Sequence, residues 1–234
     1  MTALLVDCRL HEAYLEGHVP GAVHVDREHD LTGEIGDVSR GRHPLPGSVD
    51  FAAAASRVGI GADTFVLVYD AGEGWAQRLW WLLRHFGHNA AGTFDLRGYA
   101  GPLDADEPHV ETAEFVPHER GDDTVTAEEI HARLGDPTLV LADARSPERW
   151  RGDVEPLDPV AGRIPGAINA FFEQPLPAGL LDAAEVAVYC GSGVTACVPL
   201  QRLILAGRDD ARLYPGSFSE WCRRNDLPIE KGTS

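Results

Sequence analysis

The residues with the most chemistry in them stand together as Cys190-Gly191-Ser192-Gly193-Val194-Thr195, directly after the apolar run Val186-Ala187-Val188-Tyr189. A strand that runs into a cysteine and then two glycines sets up a backbone cup. Gly191 and Gly193 can take positive φ, which turns successive N–H groups inward, and the hydroxyls of Ser192 and Thr195 can add donors. The apolar pattern up to Gly207 predicts a helix starting near Thr195 or Ala196, its positive end aimed at the same cup. Pro199 fits that start, because near the first turn its missing N–H costs little. Oriented amides and a helix N-terminus favour the charged form of a thiol, so Cys190 is expected to be a thiolate nucleophile at neutral pH. The competing reading is an inert buried thiol in a tight strand-to-helix turn.

What must position this loop is legible on either side of it. Leu4 to Asp7 reads as a buried strand, His11 to Glu16 as a polar helix, and Gly17-His18-Val19-Pro20-Gly21-Ala22-Val23 as a turn returning to a strand. The same order recurs with the strand Thr138 to Asp143 and the turn Gly162-Arg163-Ile164-Pro165-Gly166-Ala167-Ile168. Asp7-Cys8-Arg9 matches Asp143-Ala144-Arg145, and Phe65 to Asp70 matches Val186 to Cys190; each of the latter strands leads through glycines into an apolar helix ending at Gly87 or Gly207. The chain is therefore expected to hold two copies of one α/β unit, residues 1–108 and 124–234, joined by a linker, 109–123. In each, strands alternating with helices predict a parallel sheet covered by helices on both faces. Trp75, Leu79, Leu82, Leu83 and Phe86 predict one buried helix face, and Thr126-Ala127-Glu128-Glu129 a capping box opening a helix to about Leu134. Ligands of such sheets sit at the carboxyl ends of strands, where Cys190 falls. The first copy has Asp70 at that place, so it is expected to be catalytically silent.

A net charge of −17 over 234 residues excludes nucleic acid and anionic membranes as natural partners and leaves any anionic substrate to local arginines and amides. Cys8, Cys190, Cys197 and Cys222 have neither metal spacing nor the density of a disulfide framework, so free thiols in a reducing compartment, the cytoplasm, are expected. The histidines lack ligand spacing, and neither a metal nor a cofactor is expected. No segment has the length of a membrane span or the pattern of a signal peptide.

Asp-x-Arg, then Gly-His-Val-Pro-Gly-Ala, then a strand ending in Cys-Gly-Ser-Gly-Val-Thr resembles, across essentially the whole chain, the two-domain rhodaneses, comprising thiosulfate and 3-mercaptopyruvate sulfurtransferases. The resemblance implies an active C-terminal domain, an inactive N-terminal one and a site at their interface. It also implies transfer of a sulfane sulfur, through a persulfide on Cys190, from a small anionic donor to a thiol, cyanide or a thioredoxin-like protein. Cys190 to Thr195 looks like the mercaptopyruvate-type loop, and Arg149 falls at the substrate-binding arginine. A second arginine usually follows the next Glu-Pro; here Glu155-Pro156 is followed by Leu157-Asp158, which leaves the donor open. Asp26 and His43 resemble residues that reach the site, and the N-terminal leader helix common in the family is expected to be missing.

Each assignment has a plainer rival. Arg149 either binds the donor's anionic group or pairs with Glu148 or Glu155, and Arg151 divides the same way. Asp26 and His43 either relay a proton or form an Asp–His pair fixing the domain interface. Ser192 and Thr195 donate to the sulfur or bond within the loop, beside Gly191, Gly193 and Val194. Arg9 and Arg145 read as structural ion-pair partners, since the silent copy keeps one. Cys197 is expected about two turns into the helix and packed inward, the other reading being a resolving thiol; Cys8 and Cys222 read as core thiols. Two other functions compete: a cysteine-dependent phosphatase, whose loop arginine would stand at Ala196, and a non-catalytic sulfur-carrier or regulatory module.

Overall fold

A computed structural model describes residues 2–232. It divides into two compact units, one running to Gly33 and resuming over Leu45–Arg120, the other comprising Glu34–Pro44 and the chain from Gly121 onward. A single cut in the linker would place residues 34–44 with the first copy; instead they pack with the second. Gly41, at φ +87°, lies so close to the Gly216 carbonyl that a Cβ there would stand 2.5 Å from the oxygen, and the next N–H, of Arg42, donates to Ser219 Oγ at 3.0 Å.

The first unit runs β1 (Thr2–Asp7), α1 (His11–Glu16), β2 (Val23–His24), α2 (Ser48–Arg57), β3 (Thr64–Asp70), α3 (Trp75–His85) and β4 (Ala91–Asp95). Its four strands form a parallel sheet in the order β2-β1-β3-β4, with Val6 beside both Val23 and Val68. The spacing of α3 predicts one buried face, yet burial extends to Trp80, Trp81 and His85; the Trp80 indole N–H donates to the Ala91 carbonyl at 3.1 Å.

The second unit repeats the plan: α4 (Ala127–Ala132), β5 (Leu139–Asp143), α5 (Pro147–Arg151), β6 (Ile168–Asn169), β7 (Glu185–Tyr189), α6 (Cys197–Leu205), β8 (Arg212–Leu213) and α7 (Ser217–Trp221). Its sheet is parallel in the order β6-β5-β7-β8, with Ala142 beside both Ile168 and Val188. Val186 to Tyr189 are buried on both faces, as expected of an inner parallel strand. Both capping-box bonds of Thr126 and Glu129 are present, but α4 stops at Ala132, two residues before Leu134. Arg133 caps it, its guanidinium turned to Asp136 and Glu185. Since β5 leads to β6 on one side and lies against β7 on the other, the carboxyl ends of β5 and β7 border a topological switch point, the usual ligand crevice of such sheets. Among the described residues no helix is long and apolar enough to cross a membrane.

Candidate active site

β7 delivers Cys190 to that crevice, with its side chain buried, and the turn at residues 216–219 splints it there. The Cys190 N–H donates to Ser217 Oγ (3.2 Å), the Cys190 carbonyl accepts from Phe218 N (3.0 Å), and the Gly191 carbonyl accepts from Ser219 N (2.9 Å). Ser217 holds φ at +53°, a left-handed conformation for a residue with a side chain, and its hydroxyl also donates to the Tyr214 carbonyl. The sequence carries no sign of this role, because serine is not marked for positive φ as glycine is.

The Gly193 N–H donates to Cys190 Sγ at 3.1 Å, so the cup contains at least one inward amide on the sulfur. Gly193 has φ +80°, and a Cβ there would stand 2.5 Å from the Pro215 carbonyl oxygen. Gly191, expected to share that conformation, does not take positive φ; its missing side chain makes room for cations. A Cβ at Gly191 would lie 2.8 Å from Arg42 Nη2 and 3.2 Å from Arg149 Nη2. Gly193→Ala is expected to slow turnover about 10- to 100-fold by displacing the loop. Gly207→Ala, at φ +96° with open space around its Cα, bears the dihedral strain alone and should leave turnover within about twofold. Steady-state rates of both variants check this, and equal rates would remove the Pro215 contact from the explanation.

α6 begins at Cys197, one or two residues later than expected. Cys197 is therefore the first helical residue, not two turns in, and its buried thiol donates to the Gly193 carbonyl at 3.4 Å. Pro199, two residues further, stays within the first turn. Burial, then Asp70 and Asp7, push the Cys8 thiol well above its ordinary pKa, and burial with Asp158 raises that of Cys222, so both stay protonated core thiols.

The first unit shows what the same loop holds without a sulfur. Asp70, at the end of β3, accepts from the Gly72 N–H (2.8 Å) and the Ala76 N–H at the head of α3 (3.1 Å). One copy thus seats a carboxylate, and the other a cysteine, at the carboxyl end of the equivalent strand, each met by N–H groups of the residues that follow.

Carboxylates and guanidinium groups alternate beside Cys190. Arg145, following β5, pairs with Asp143 (2.6 Å) and reaches Glu155 (3.2 Å). Glu155 in turn takes Arg149 through Nε (3.1 Å) and Nη2 (2.7 Å), and Arg149 Nη2 stands 3.6 Å from Asp158. Of the two readings of Arg149, the ion pair with Glu155 is present, and the same guanidinium lies beside Gly191. Arg151 pairs with exposed Asp153 at 2.7 Å, a surface contact. Arg9 pairs with Asp7 at 2.6 Å, as expected of a structural partner. Ser192 is bonded to His43, whose Nδ1 lies 2.8 Å from its Oγ; Val194 is buried and Thr195 half-buried in the loop. Asp26 lies in the first unit, where its carboxylate accepts from the Glu28 and His29 N–H groups and the His29 ring, contacts that hold its pKa below the usual range despite partial burial. Ser217, Ser219 and Arg223 carry no motif in the sequence and come with the 216–219 turn and the residues after it; Arg42, next to His43, is brought there by the packing of residues 34–44 on that turn. No group of His, Cys, Asp or Glu among the described residues is arranged to hold a metal ion.

The rhodanese-like domain model matches the chain twice, over residues 1–98 and 126–224. A Mycobacterium tuberculosis protein named "Putative thiosulfate sulfurtransferase SseB" is 39% identical, covering 96% of this chain and 87% of its own. The "Probable 3-mercaptopyruvate sulfurtransferase" of Pseudomonas aeruginosa is 37% identical over 98% of this chain and 92% of its own. Among solved structures, the 3-mercaptopyruvate sulfurtransferase SseA of Escherichia coli, described as a rhodanese fold, superposes with a TM-score of 0.75 at 29% identity, covering 92% of each chain.

Proposed function

This chain belongs to the rhodanese family and is a sulfurtransferase, and from that premise we propose that Cys190 carries the sulfur between an anionic donor and a thiophilic acceptor. The observation that carries this reading is the Gly193 N–H on Cys190 Sγ at 3.1 Å, at the end of β7 and beside the Arg149 guanidinium. The Cys190 thiolate attacks the sulfane sulfur of thiosulfate; the S–S bond of the donor breaks and sulfite leaves with the electron pair. With 3-mercaptopyruvate the C–S bond breaks instead, and the pyruvate enolate that leaves takes a proton at carbon. In both cases a Cys190 persulfide remains, and its anionic sulfur takes amide donors as an oxyanion does. Cyanide or a thiol then attacks the outer sulfur and frees the thiolate.

The His43–Ser192 bond favours 3-mercaptopyruvate, because a histidine held on the loop hydroxyl can pass a proton to the departing enolate, which sulfite does not need. Arg149, fixed by Glu155, takes the donor's carboxylate or sulfonate in its guanidinium fork. Ala196, at the position of a phosphatase arginine, supplies no charge for a phosphoryl group. The acceptor is a small thiol, cyanide or a thioredoxin-like protein, without nucleic acid or membrane. Four free, buried thiols support a cytoplasmic setting.

Intact-mass measurement after donor addition tests the reading. One added sulfur atom per chain is expected with 3-mercaptopyruvate or thiosulfate, removed by cyanide or a dithiol with repeated turnover. No added sulfur from either donor would overturn it, and a stoichiometric persulfide that no acceptor discharges would leave only a sulfur carrier.

A further inference from the structure

We propose that Arg42 is the second cation of the donor site, aimed at the loop by Asp158, and that this pair gives the enzyme its selectivity for anionic over neutral sulfur donors. The proposal rests on the reading of Cys190 as the sulfur carrier. After Glu155-Pro156 the chain offers Leu157 and Asp158, so the segment beside Arg149 adds no cation of its own. A carboxylate there looks out of place in a site for anions. Its surroundings explain it: the Asp158 side chain is 0% exposed, and its Oδ1 accepts from Arg42 Nη1 and from Arg223 Nη1 (3.0 Å). With Arg149 Nη2 at 3.6 Å from Oδ2, one buried carboxylate faces three guanidinium groups.

That arrangement commits Arg42 Nη1 to Asp158 and Arg149 Nε and Nη2 to Glu155, and leaves Arg42 Nη2 and Arg149 Nη1 outside those pairs. Asp158 holds Arg42 by Nη1, while its Nη2 is the atom that a Cβ at Gly191 would approach to 2.8 Å, with Arg149 Nη2 at 3.2 Å and Nη1 at 3.4 Å from the same point. Two cationic edges therefore meet over the residue next to the nucleophile, the disposition that takes the oxygens of one carboxylate or sulfonate. Counting the connected groups, Arg42, Arg145, Arg149 and Arg223 stand against Asp143, Glu155 and Asp158, an excess of one positive charge. In a chain of net charge −17 this local surplus is what an anionic donor can find.

Arg42 is also registered on the nucleophile through the backbone. Its N–H donates to Ser219 Oγ (3.0 Å), while the Ser219 N–H holds the Gly191 carbonyl (2.9 Å). One serine thus fixes both the segment bearing the cation and the loop bearing the sulfur.

The test compares wild type with Arg42→Ala and Arg42→Lys on thiosulfate, 3-mercaptopyruvate and, as the neutral donor, an organic hydropersulfide with an uncharged tail, whose outer sulfur passes to Cys190 as its S–S bond breaks and the thiol leaves; Cys190 persulfide is followed by intact mass and turnover by cyanide discharge. Arg42→Ala is expected to raise KM for both anionic donors about 10- to 100-fold with kcat within about threefold. The ratio of kcat/KM for anionic to neutral donors should then fall at least about tenfold, and Arg42→Lys should recover part of it. An equal loss on all three donors would assign Arg42 a purely structural role and overturn the proposal, as would unchanged kinetics on all three. In both cases a persulfide formed by wild type keeps the reading of Cys190 intact. If wild type takes up no sulfur from any donor, that reading falls and this proposal with it.

Discussion

Cys190→Ser is expected to lower sulfur transfer at least about 10³-fold, to the level of the uncatalysed exchange, with the fold retained. A serine hydroxyl at this position would still accept the Gly193 N–H, and the exchange removes little volume from a site that is 1% exposed. Stability should change by no more than about 1 kcal/mol. What disappears is the chemistry: an alkoxide is not available at neutral pH, and oxygen cannot carry a sulfane sulfur as a persulfide. The first unit indicates that the loop survives such a change, since Asp70 closes the equivalent turn on the N–H groups of Gly72 and Ala76 with no sulfur at all. Cys8 and Cys222, whose thiols burial holds protonated, cannot take over. Turnover assays on the purified variant, with circular dichroism to report the fold, check the expectation. Residual transfer above about a tenth of wild type would place the nucleophile elsewhere.

The repeat made the fold readable. Asp7-Cys8-Arg9 and Asp143-Ala144-Arg145, each ending an inner parallel strand, are local signals, and strand, turn and helix follow each of them in the same order. The candidate loop was readable for the same reason, since Cys190 and its glycines adjoin in the chain. The cations were only half readable. Arg149 sits one helix away from Asp143, whereas Arg42 arrives from residues 34–44, held by contacts with residues 158 and 219 that no local pattern encodes. Gly191 illustrates the limit: a glycine signals either freedom of φ or a close approach, and the sequence does not distinguish them. Here it is the approach of two guanidinium groups, while Gly193 supplies the positive φ. Asp158 is a related case, since the sequence shows a carboxylate after Glu155-Pro156 and only the fold shows the guanidinium groups of Arg42, Arg149 and Arg223 around it.

Arg145→Ala is expected to be the most destabilising single substitution of the site, by about 3–5 kcal/mol, because it strands buried Asp143 and takes from Glu155 one of its two cations. Its side chain is 1% exposed. Nη2 donates to Asp143 Oδ2 (2.6 Å) and to the Gly162 carbonyl (2.7 Å), Nη1 to Glu155 (3.2 Å), and the guanidinium lies 4.0 Å over the Phe218 ring. Burial opposes its charge, but Asp143 and Glu155, with Tyr189, more than offset this and hold its pKa above the ordinary value. With the arginine gone, Asp143, at 0% side-chain exposure, loses the cation that offsets its desolvation, and Glu155, at 2%, keeps only Arg149. The equivalent Arg9, 12% exposed and paired with Asp7, should cost less when replaced. Urea denaturation of both variants ranks them, and a cost below about 1 kcal/mol for Arg145→Ala would mean that water reaches the pair. A kinetic consequence follows from the shared partner: Glu155, no longer held by Arg145, orients Arg149 less well, so the surviving folded enzyme should show a raised KM for anionic donors. The cluster therefore supports the fold through Asp143 and the chemistry through Glu155, and Arg145 is the group that couples the two.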